Sequence, residues 1–339
     1  MYSRIIGTGS ALPEKSLTNE EFALLLAKDG IETSDEWIRT RTGIVTRYFA
    51  DPEKGECTTS LAVEAAKNAL EAAGVAGDSI DLIIVATTTP DMIFPSTAAR
   101  VQAALGAQGC AAFDVQAVCA GFIYALNAAD AMLRAGPYRR AVVIGAETMS
   151  RVIDMKDRST CVLFGDGAGA VVLESSSDPG VLAARMYADG RFDEKILGLT
   201  ARVDQGRIIG HPYINMDGRQ VFKLAVDGLV NSAREVADLA CVRTEDVALF
   251  VPHQANLRIM TMVAKKLGID EAKMVQTVHE HGNTSAASVP LALDRAVQFI
   301  LQGIRATFGY QHDNREGILL ERVLPNLRMP IQISSYELA

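Results

Sequence analysis

The chain has 339 residues and a formal net charge of −8, from 33 Lys and Arg against 41 Asp and Glu. An apolar fraction of 49% with 22% charged residues excludes global disorder, and the acidic balance argues against nucleic acid as a partner. No apolar run approaches the ~18 residues of a membrane span, and residues 1–15 show no basic-then-apolar signal pattern, so a cytoplasmic protein that touches no membrane is expected.

In chain order the pattern alternates helix and strand. Residues 59–73 place Leu61, Ala65, Ala66, Ala69, Leu70 and Ala73 at helical spacing, with Gly74 as the predicted C-cap. Residues 81–86 form a short apolar run fit for a buried strand. Residues 113–118 give a second strand, Gly121–Ala135 a helix stopped by Gly136 and Pro137, and residues 141–144 a third strand. Residues 161–164 and 170–173 flank a glycine run, which predicts adjacent strands about a tight turn. Residues 175–215 are less periodic and richer in Gly, Asp and Arg, and read as a connection with loop segments.

The second half repeats the logic. Residues 221–239 read as a helix and residues 246–251 as a strand, an echo of 59–73 and 81–86 that suggests a duplicated α/β unit. Leu257–Leu267 reads as a helix ended by Gly268. Buried strands alternating with helices imply a mostly parallel or mixed sheet covered on both faces. The length fits two domains or two halves of one large fold.

The five cysteines are scattered, odd in number and without a C-x-x-C pair, which argues against a disulfide framework or a structural zinc site. Cys119 differs from the others, lying between an apolar strand and a helix. A thiol at a helix N-terminus has its thiolate favoured, and Ala120 and Gly121 leave room for a substrate carbonyl. His253 stands at the end of the 246–251 strand, where sites of open α/β sheets gather. Asn283 lies in a run of small and polar residues, 281–286, that lets backbone and amide groups approach a ligand.

Arg258, Lys265 and Lys266 fall on one helix face beginning just after His253, a basic face suited to an anionic partner. His279 and His281 could chelate together on a strand, but no further ligand cluster accompanies them, so no metal site is expected. The run Gly165–Gly169 is followed by an apolar strand rather than a helix and has no Gly-Lys-Ser/Thr, so it is not read as a phosphate loop.

Several segments together resemble one family. They are residues 33–44 around Trp37, 94–97 from Phe94, 118–122 around Cys119, 157–160 around Arg158, 164–169, 252–258 around His253 and 281–286 around Asn283. In this order they resemble β-ketoacyl-acyl-carrier-protein synthase III, the thiolase-like condensing enzyme of type II fatty acid synthesis. The resemblance implies two duplicated βαβαβ-type halves in a five-layered α-β-α-β-α arrangement. The first half would span residues 1–175 and hold the nucleophile. Residues 176–215 would connect it to a second half, 216–339, holding the His and Asn.

What the resemblance implies for chemistry is a Cys119, His253, Asn283 site. Cys119 would take an acyl group from acyl-CoA, and His253 and Asn283 would stabilise the enolate formed from malonyl-acyl-carrier protein. Coenzyme A thioester is then a substrate, and no separate cofactor is implied. Trp37 and Arg158 match residues beside the CoA adenine, Arg41 a phosphate contact and Asn256 a pantetheine contact. Phe94 matches a residue that reaches the acyl pocket across a homodimer interface. Lys223, Arg258, Lys265 and Lys266 would face the carrier protein.

The chain departs from the family twice. Gly218-Arg219 stands where a Gly-Asn pair is usual, and residues 304–339 contain no glycine-rich segment to supply a second backbone N–H to the acyl oxyanion. A related condensing enzyme of secondary metabolism using longer or unusual acyl-CoA, and a catalytically impaired acyl-binding protein of the same fold, are the alternatives. A metal hydrolase using His279 and His281 is more distant.

Overall fold

A computed structural model describes residues 1–192, 196–308 and 333–337. Its centre is a five-stranded sheet in the order Tyr2–Ala11, Asp166–Ser176, Arg140–Thr148, Leu82–Ala86, Ala111–Val115. The last three strands run parallel, and the two former pairings are antiparallel. Strand 82–86 sits inside the sheet and is buried along its whole length. Its two faces feed different cores. Ile83 and Val85 join Leu61, Ala65, Ala69 and Val101 on one side; Leu82, Ile84 and Ala86 join Phe122, Leu126, Leu133, Leu293 and Val297 on the other. A strand buried on both faces reads as a continuous apolar run, as the sequence shows here.

Helix Thr58–Ala73 covers the first face. Cys57 caps its start through Ser60, and Gly74, at φ 63°, ends it in the left-handed region. A Cβ on Gly9 would stand 2.3 Å from the Ala69 nitrogen, so the alanine-rich helix meets a glycine-bearing strand backbone to backbone. Helices Gly121–Ala135 and Ser288–Phe308 supply the other face.

A third core joins distant parts of the chain. Phe22, Leu26, Ile38 and Ile44 pack with Met149, Cys161 and Phe164 and with Val226, Val230, Phe250, Ile259 and Val263. Helices Gly218–Leu239 and Leu257–Leu267 lie together over this core. Strand Ile333–Glu337 pairs in parallel with Ala184–Ala188 and lies beside the turn Val118–Ala120.

The structure differs from the sequence reading at several elements. Residues 165–169 make no turn; Asp166–Ser176 is one strand. The glycines answer to close approach instead. A Cβ on Gly169 would meet the Leu291 nitrogen at 2.6 Å, and one on Gly165 the His281 carbonyl oxygen at 2.3 Å. Residues preceding the run form the short helix Arg158–Cys161, capped by Asp157, rather than a strand. Strand 113–118 ends at Val115. Among the described residues, 246–251 pair only through a bridge between Phe250 and Met274. Inside the 175–215 connection lie strand Ala184–Ala188 and a small hairpin, Arg202–Asp204 with Arg207–Ile209. His279 and His281 belong to the helical turn Val278–His281, and no group of three His, Cys, Asp or Glu converges among the described residues. No helix among the described residues is long and apolar enough to cross a membrane. Of the tail 304–339, residues 309–332 and 338–339 lie outside the described residues.

Candidate active site

Cys119 lies in a single 3-10 turn, Val118–Ala120, that leads directly into helix Gly121–Ala135. The turn is forced by its entrance. Val118 has φ 42°, an outlier for a β-branched residue and a conformation that persists only where the surroundings impose it. The turn packs on a second one, Ser285–Ala287. Gly121, which follows the first turn, lies close to strand 82–86: a Cβ there would stand 3.1 Å from that of Ala86 and in ordinary contact, 3.5 Å, with that of Ala286.

Asn283 is placed by its backbone and its side chain together. Its N–H donates to the Leu163 carbonyl (2.8 Å), and its own carbonyl accepts the Gly165 N–H (3.0 Å). Its side-chain Oδ1 accepts the Ser285 N–H at 2.9 Å. With the oxygen engaged, Asn283 offers its amide NH₂ as donor.

His253 follows the Phe250–Met274 bridge and is held by Ser288, the first residue of the long helix. Its Nδ1 lies 2.6 Å from Ser288 Oγ. Ser288 Oγ also accepts the Gln254 N–H at 3.4 Å, which leaves the hydroxyl proton for Nδ1. A neutral ring then carries its own proton on Nε2. The ring is neutral because burial pushes its pKa down to about 4. Gln254 braces the segment: its Nε2 donates to the Pro252 carbonyl (2.7 Å), and its Oε1 accepts the Thr277 N–H (2.8 Å).

The three predicted residues therefore converge on one stretch, 283–288, which contains Asn283, touches the Cys119 turn and anchors His253. Sequence reasoning missed three residues that organise it. Ser285 was read only as one of the small and polar residues of the run 281–286, and Ser288, just beyond it, was not singled out. Glu147, at the end of strand Arg140–Thr148, is wholly buried and accepts a hydrogen bond from Ser285 Oγ at 3.1 Å. A lone carboxylate closing an apolar strand was the available signal.

The second group of predicted residues is also brought together, at the surface. Arg158 and Arg41 place their guanidinium carbons 4.4 Å and 4.6 Å from the Trp37 ring centroid. Asn256 donates from Nδ2 to the Arg41 carbonyl (3.1 Å), while its Oδ1 caps helix Leu257–Leu267 by accepting the Arg258 N–H (2.9 Å). Gly43 lets that helix approach: a Cβ there would lie 2.5 Å from that of Leu257.

Lys223, Arg258, Lys265 and Lys266 are all exposed, on the two helices that pack together. They are not equivalent. Lys266 pairs with Asp227 at 2.9 Å, and Arg258 lies over the Phe222 ring at 5.8 Å. Asp217 caps the helix that begins at Gly218, so Arg219, at the departure from the family pair, has its N–H bound to Asp217 Oδ1. Phe94 is apart from all of these. It is 82% exposed beside exposed Met92 and Ile93, an apolar tip of the kind that marks an interaction site.

Two family models match the chain. That described as 3-oxoacyl-[acyl-carrier-protein (ACP)] synthase III matches residues 113–190, and its C-terminal counterpart matches residues 238–303. Among solved structures, 3-oxoacyl-[acyl-carrier-protein] synthase III from Aquifex aeolicus VF5 is 47% identical; the alignment covers 88% of this chain and 91% of that one, with a TM-score of 0.80. The synthase III from Pseudomonas aeruginosa PAO1 is 38% identical over 89% and 90% of the two chains, with a TM-score of 0.81. The priming β-ketosynthase of the R1128 polyketide biosynthetic pathway is also 38% identical, over 87% of each chain, with a TM-score of 0.78.

Proposed function

This chain belongs to the 3-oxoacyl-[acyl-carrier-protein] synthase III family, and from that premise we propose that Cys119, His253 and Asn283 carry out its reaction. The protein is a thiolase-fold condensing acyltransferase. It joins an acyl-CoA primer to malonyl-acyl-carrier protein with loss of carbon dioxide, the step that begins fatty acid synthesis.

In the first half-reaction the Cys119 thiolate attacks the acyl thioester carbonyl. A carbon–sulfur bond forms to Cys119, the carbon–sulfur bond to coenzyme A breaks, and coenzyme A leaves as its thiolate, which takes a proton from water. The turn into helix Gly121–Ala135 places the thiolate at the positive end of the helix. The Cys119 N–H is the first donor to the oxyanion.

In the second half-reaction malonyl-acyl-carrier protein loses carbon dioxide. The electrons of the broken carbon–carbon bond pass to an enolate whose oxygen takes hydrogen bonds from His253 Nε2 and Asn283 Nδ2. The enolate carbon attacks the acyl carbonyl on Cys119, the cysteine sulfur departs, and β-ketoacyl-carrier protein is released. Both donors are neutral where negative charge develops.

The observation that carries this reading is the state of the two donors. Ser288 holds the Nδ1 of a neutral His253, and Ser285 holds the Oδ1 of Asn283, so each side chain keeps an N–H for the substrate. Trp37 with Arg41 and Arg158 gives a stacking and cationic surface for the nucleotide of CoA. Asn256 next to Arg41 suits pantetheine, and Lys223, Arg258 and Lys265 suit an acidic carrier protein. A homodimer that covers Phe94 accounts for the exposed tip, and a cytoplasmic setting fits cysteines that form no disulfide.

Likeness to a polyketide priming synthase favours a second reading, in which the primer is an unusual acyl chain. Intact-protein mass after mixing with a panel of acyl-CoAs tests both. A gain on Cys119 that malonyl-acyl-carrier protein discharges is the expected result, and the best donor decides between the readings. A gain that persists in Cys119→Ala would overturn the assignment of the nucleophile.

A further inference from the structure

Glu147 has no assigned part in the reaction above, yet its surroundings are unusual. It is completely buried, and no salt bridge reaches it among the described residues. Burying a carboxylate without a cation is costly, and burial lifts this one to about 7. What holds it is a set of protons. Thr88 N–H (3.1 Å), Thr89 N–H (3.0 Å), Thr87 Oγ1 (3.3 Å) and Thr89 Oγ1 all donate to Oε2. These bonds tie strand 140–148 to the end of its neighbour 82–86 and would suffice for a structural clip.

The other oxygen reaches further. Oε1 shares the Thr88 N–H at 3.2 Å and also accepts from Ser285 Oγ at 3.1 Å, across 138 positions of sequence. Ser285 has φ 49°, a conformation uncommon for serine. Its side chain is bound to Glu147 and its N–H to Asn283 Oδ1 at 2.9 Å. The result is a continuous chain from the sheet, through Ser285, to the amide of Asn283. If Ser285 is released, no other contact among the described residues decides which end of the Asn283 carboxamide faces the substrate, because the other bonds of Asn283 are made by its backbone.

We propose that Glu147 is a positioning residue that acts through Ser285 to orient the Asn283 carboxamide, so that Nδ2 rather than Oδ1 meets the enolate oxygen. This rests on the assignment of Asn283 as a donor. An inverted amide would present a lone pair to developing negative charge, and even a small displacement of an aligned donor is expensive.

Glu147→Ala leaves the Thr88 and Thr89 N–H groups without their acceptor and costs stability, so Ser285→Ala carries the test. Each variant is assayed for Cys119 acylation by intact mass and for kcat and KM of condensation, with thermal unfolding alongside. Ser285→Ala is expected to acylate within about twofold of wild type, while condensation kcat falls about 10²-fold with KM for malonyl-acyl-carrier protein within about twofold. Glu147→Gln keeps an oxygen for the threonines and a polar group for Ser285, and is expected to lose less than about tenfold. In the double variant Ser285→Ala, Glu147→Gln, kcat should fall no further than in Ser285→Ala alone.

Equal losses in acylation and condensation would mark a general structural role and overturn the inference. Condensation within about threefold of wild type in Ser285→Ala, beside a crippled Asn283→Ala, overturns it alone. An Asn283→Ala enzyme that condenses at the wild-type rate overturns the donor assignment and this inference with it.

Discussion

The two groups of functional residues are held by different physics. Around residues 283–288, each polar group is fixed by another buried polar group: Ser288 on His253, Ser285 on Asn283, Glu147 on Ser285. At the rim, Trp37, Arg41 and Arg158 are held by stacking and by bonds to main-chain carbonyls in contact with water. Interior fixation pre-pays the ordering that a transition state requires. Rim stacking supplies surface that a planar base can share, and binds ground and transition states alike. The interior should therefore govern kcat and the rim KM.

The sharpest break comes at the interior. Cys119→Ala should give no acyl adduct with any donor, read by intact mass. His253→Ala and Asn283→Ala should each keep acylation and lose about 10²–10³-fold in condensation, measured as carbon dioxide release from malonyl-acyl-carrier protein. If either variant instead raised KM for acyl-CoA, the division between interior and rim would fail.

How much of this was legible beforehand follows the same division. Cys119, His253 and Asn283 could be picked out as candidates because each sits in a local pattern, strand then helix, strand end, and a run of small residues, and it was the family resemblance that joined them into one site. Ser288 and Glu147 act through bonds that span 35 and 138 positions, and no local pattern carries such information. The glycine run 165–169 was misread for a related reason. Glycine marks a turn and a close approach equally well, and the partner that decides between them, the backbone at Pro290 and Leu291, is over a hundred residues away. Residues 246–251 show that an apolar run predicts neither pairing nor burial by itself: among the described residues only Phe250 there makes a bridge, and only Val247 and Phe250 are buried. The parallel strand 82–86, buried on both faces, was legible because its composition and its environment coincide.

A pH titration sharpens the contrast from the interior side. Burial pushes His281 down to about 4, while a histidine in the unfolded chain protonates near 6.5. Between these values the unfolded chain binds a proton that the folded one refuses. The stability contributed by the neutral ring is thus complete above about 6.5 and is lost as pH falls toward about 4. At pH 5.5 the loss is about 1 kcal/mol. Glu147, raised to about 7, works in the opposite sense, losing stability as pH rises through that value. The comparison must therefore be between wild type and His281→Gln, in urea unfolding at pH 7.5 and 5.5. The wild type should lose about 1 kcal/mol more than the variant; equal losses would show that the ring is open to water.

At the rim, Arg158→Ala removes one of the two guanidinium groups over Trp37 and leaves the other. An exposed cation–π contact is worth about 0.5–1 kcal/mol, so KM for acyl-CoA should rise roughly two- to fivefold with the acylation kcat unchanged. A fall in kcat would place the residue with the interior group instead.

The smallest effects belong to the basic helix face, and there the ion pairs set an order. Lys266 already spends its charge on Asp227 at 2.9 Å, whereas no ion pair involving Lys265 occurs among the described residues. Single exposed charges contribute about 0–1 kcal/mol and are screened within about 10 Å at 0.1 M salt. Charge reversal at Lys265 should raise KM for malonyl-acyl-carrier protein about threefold at low salt. At Lys266, Ala substitution frees Asp227 as well as removing the cation, so the local field changes by one full charge and the rise should be about twofold. Both should vanish at 0.5 M salt, where screening leaves only contact terms. KM for acyl-CoA should not move in either variant, because the proposed CoA rim consists of Trp37, Arg41 and Arg158. A rise in both Michaelis constants would mean that the two surfaces are one, and that carrier protein and nucleotide compete for the same cations.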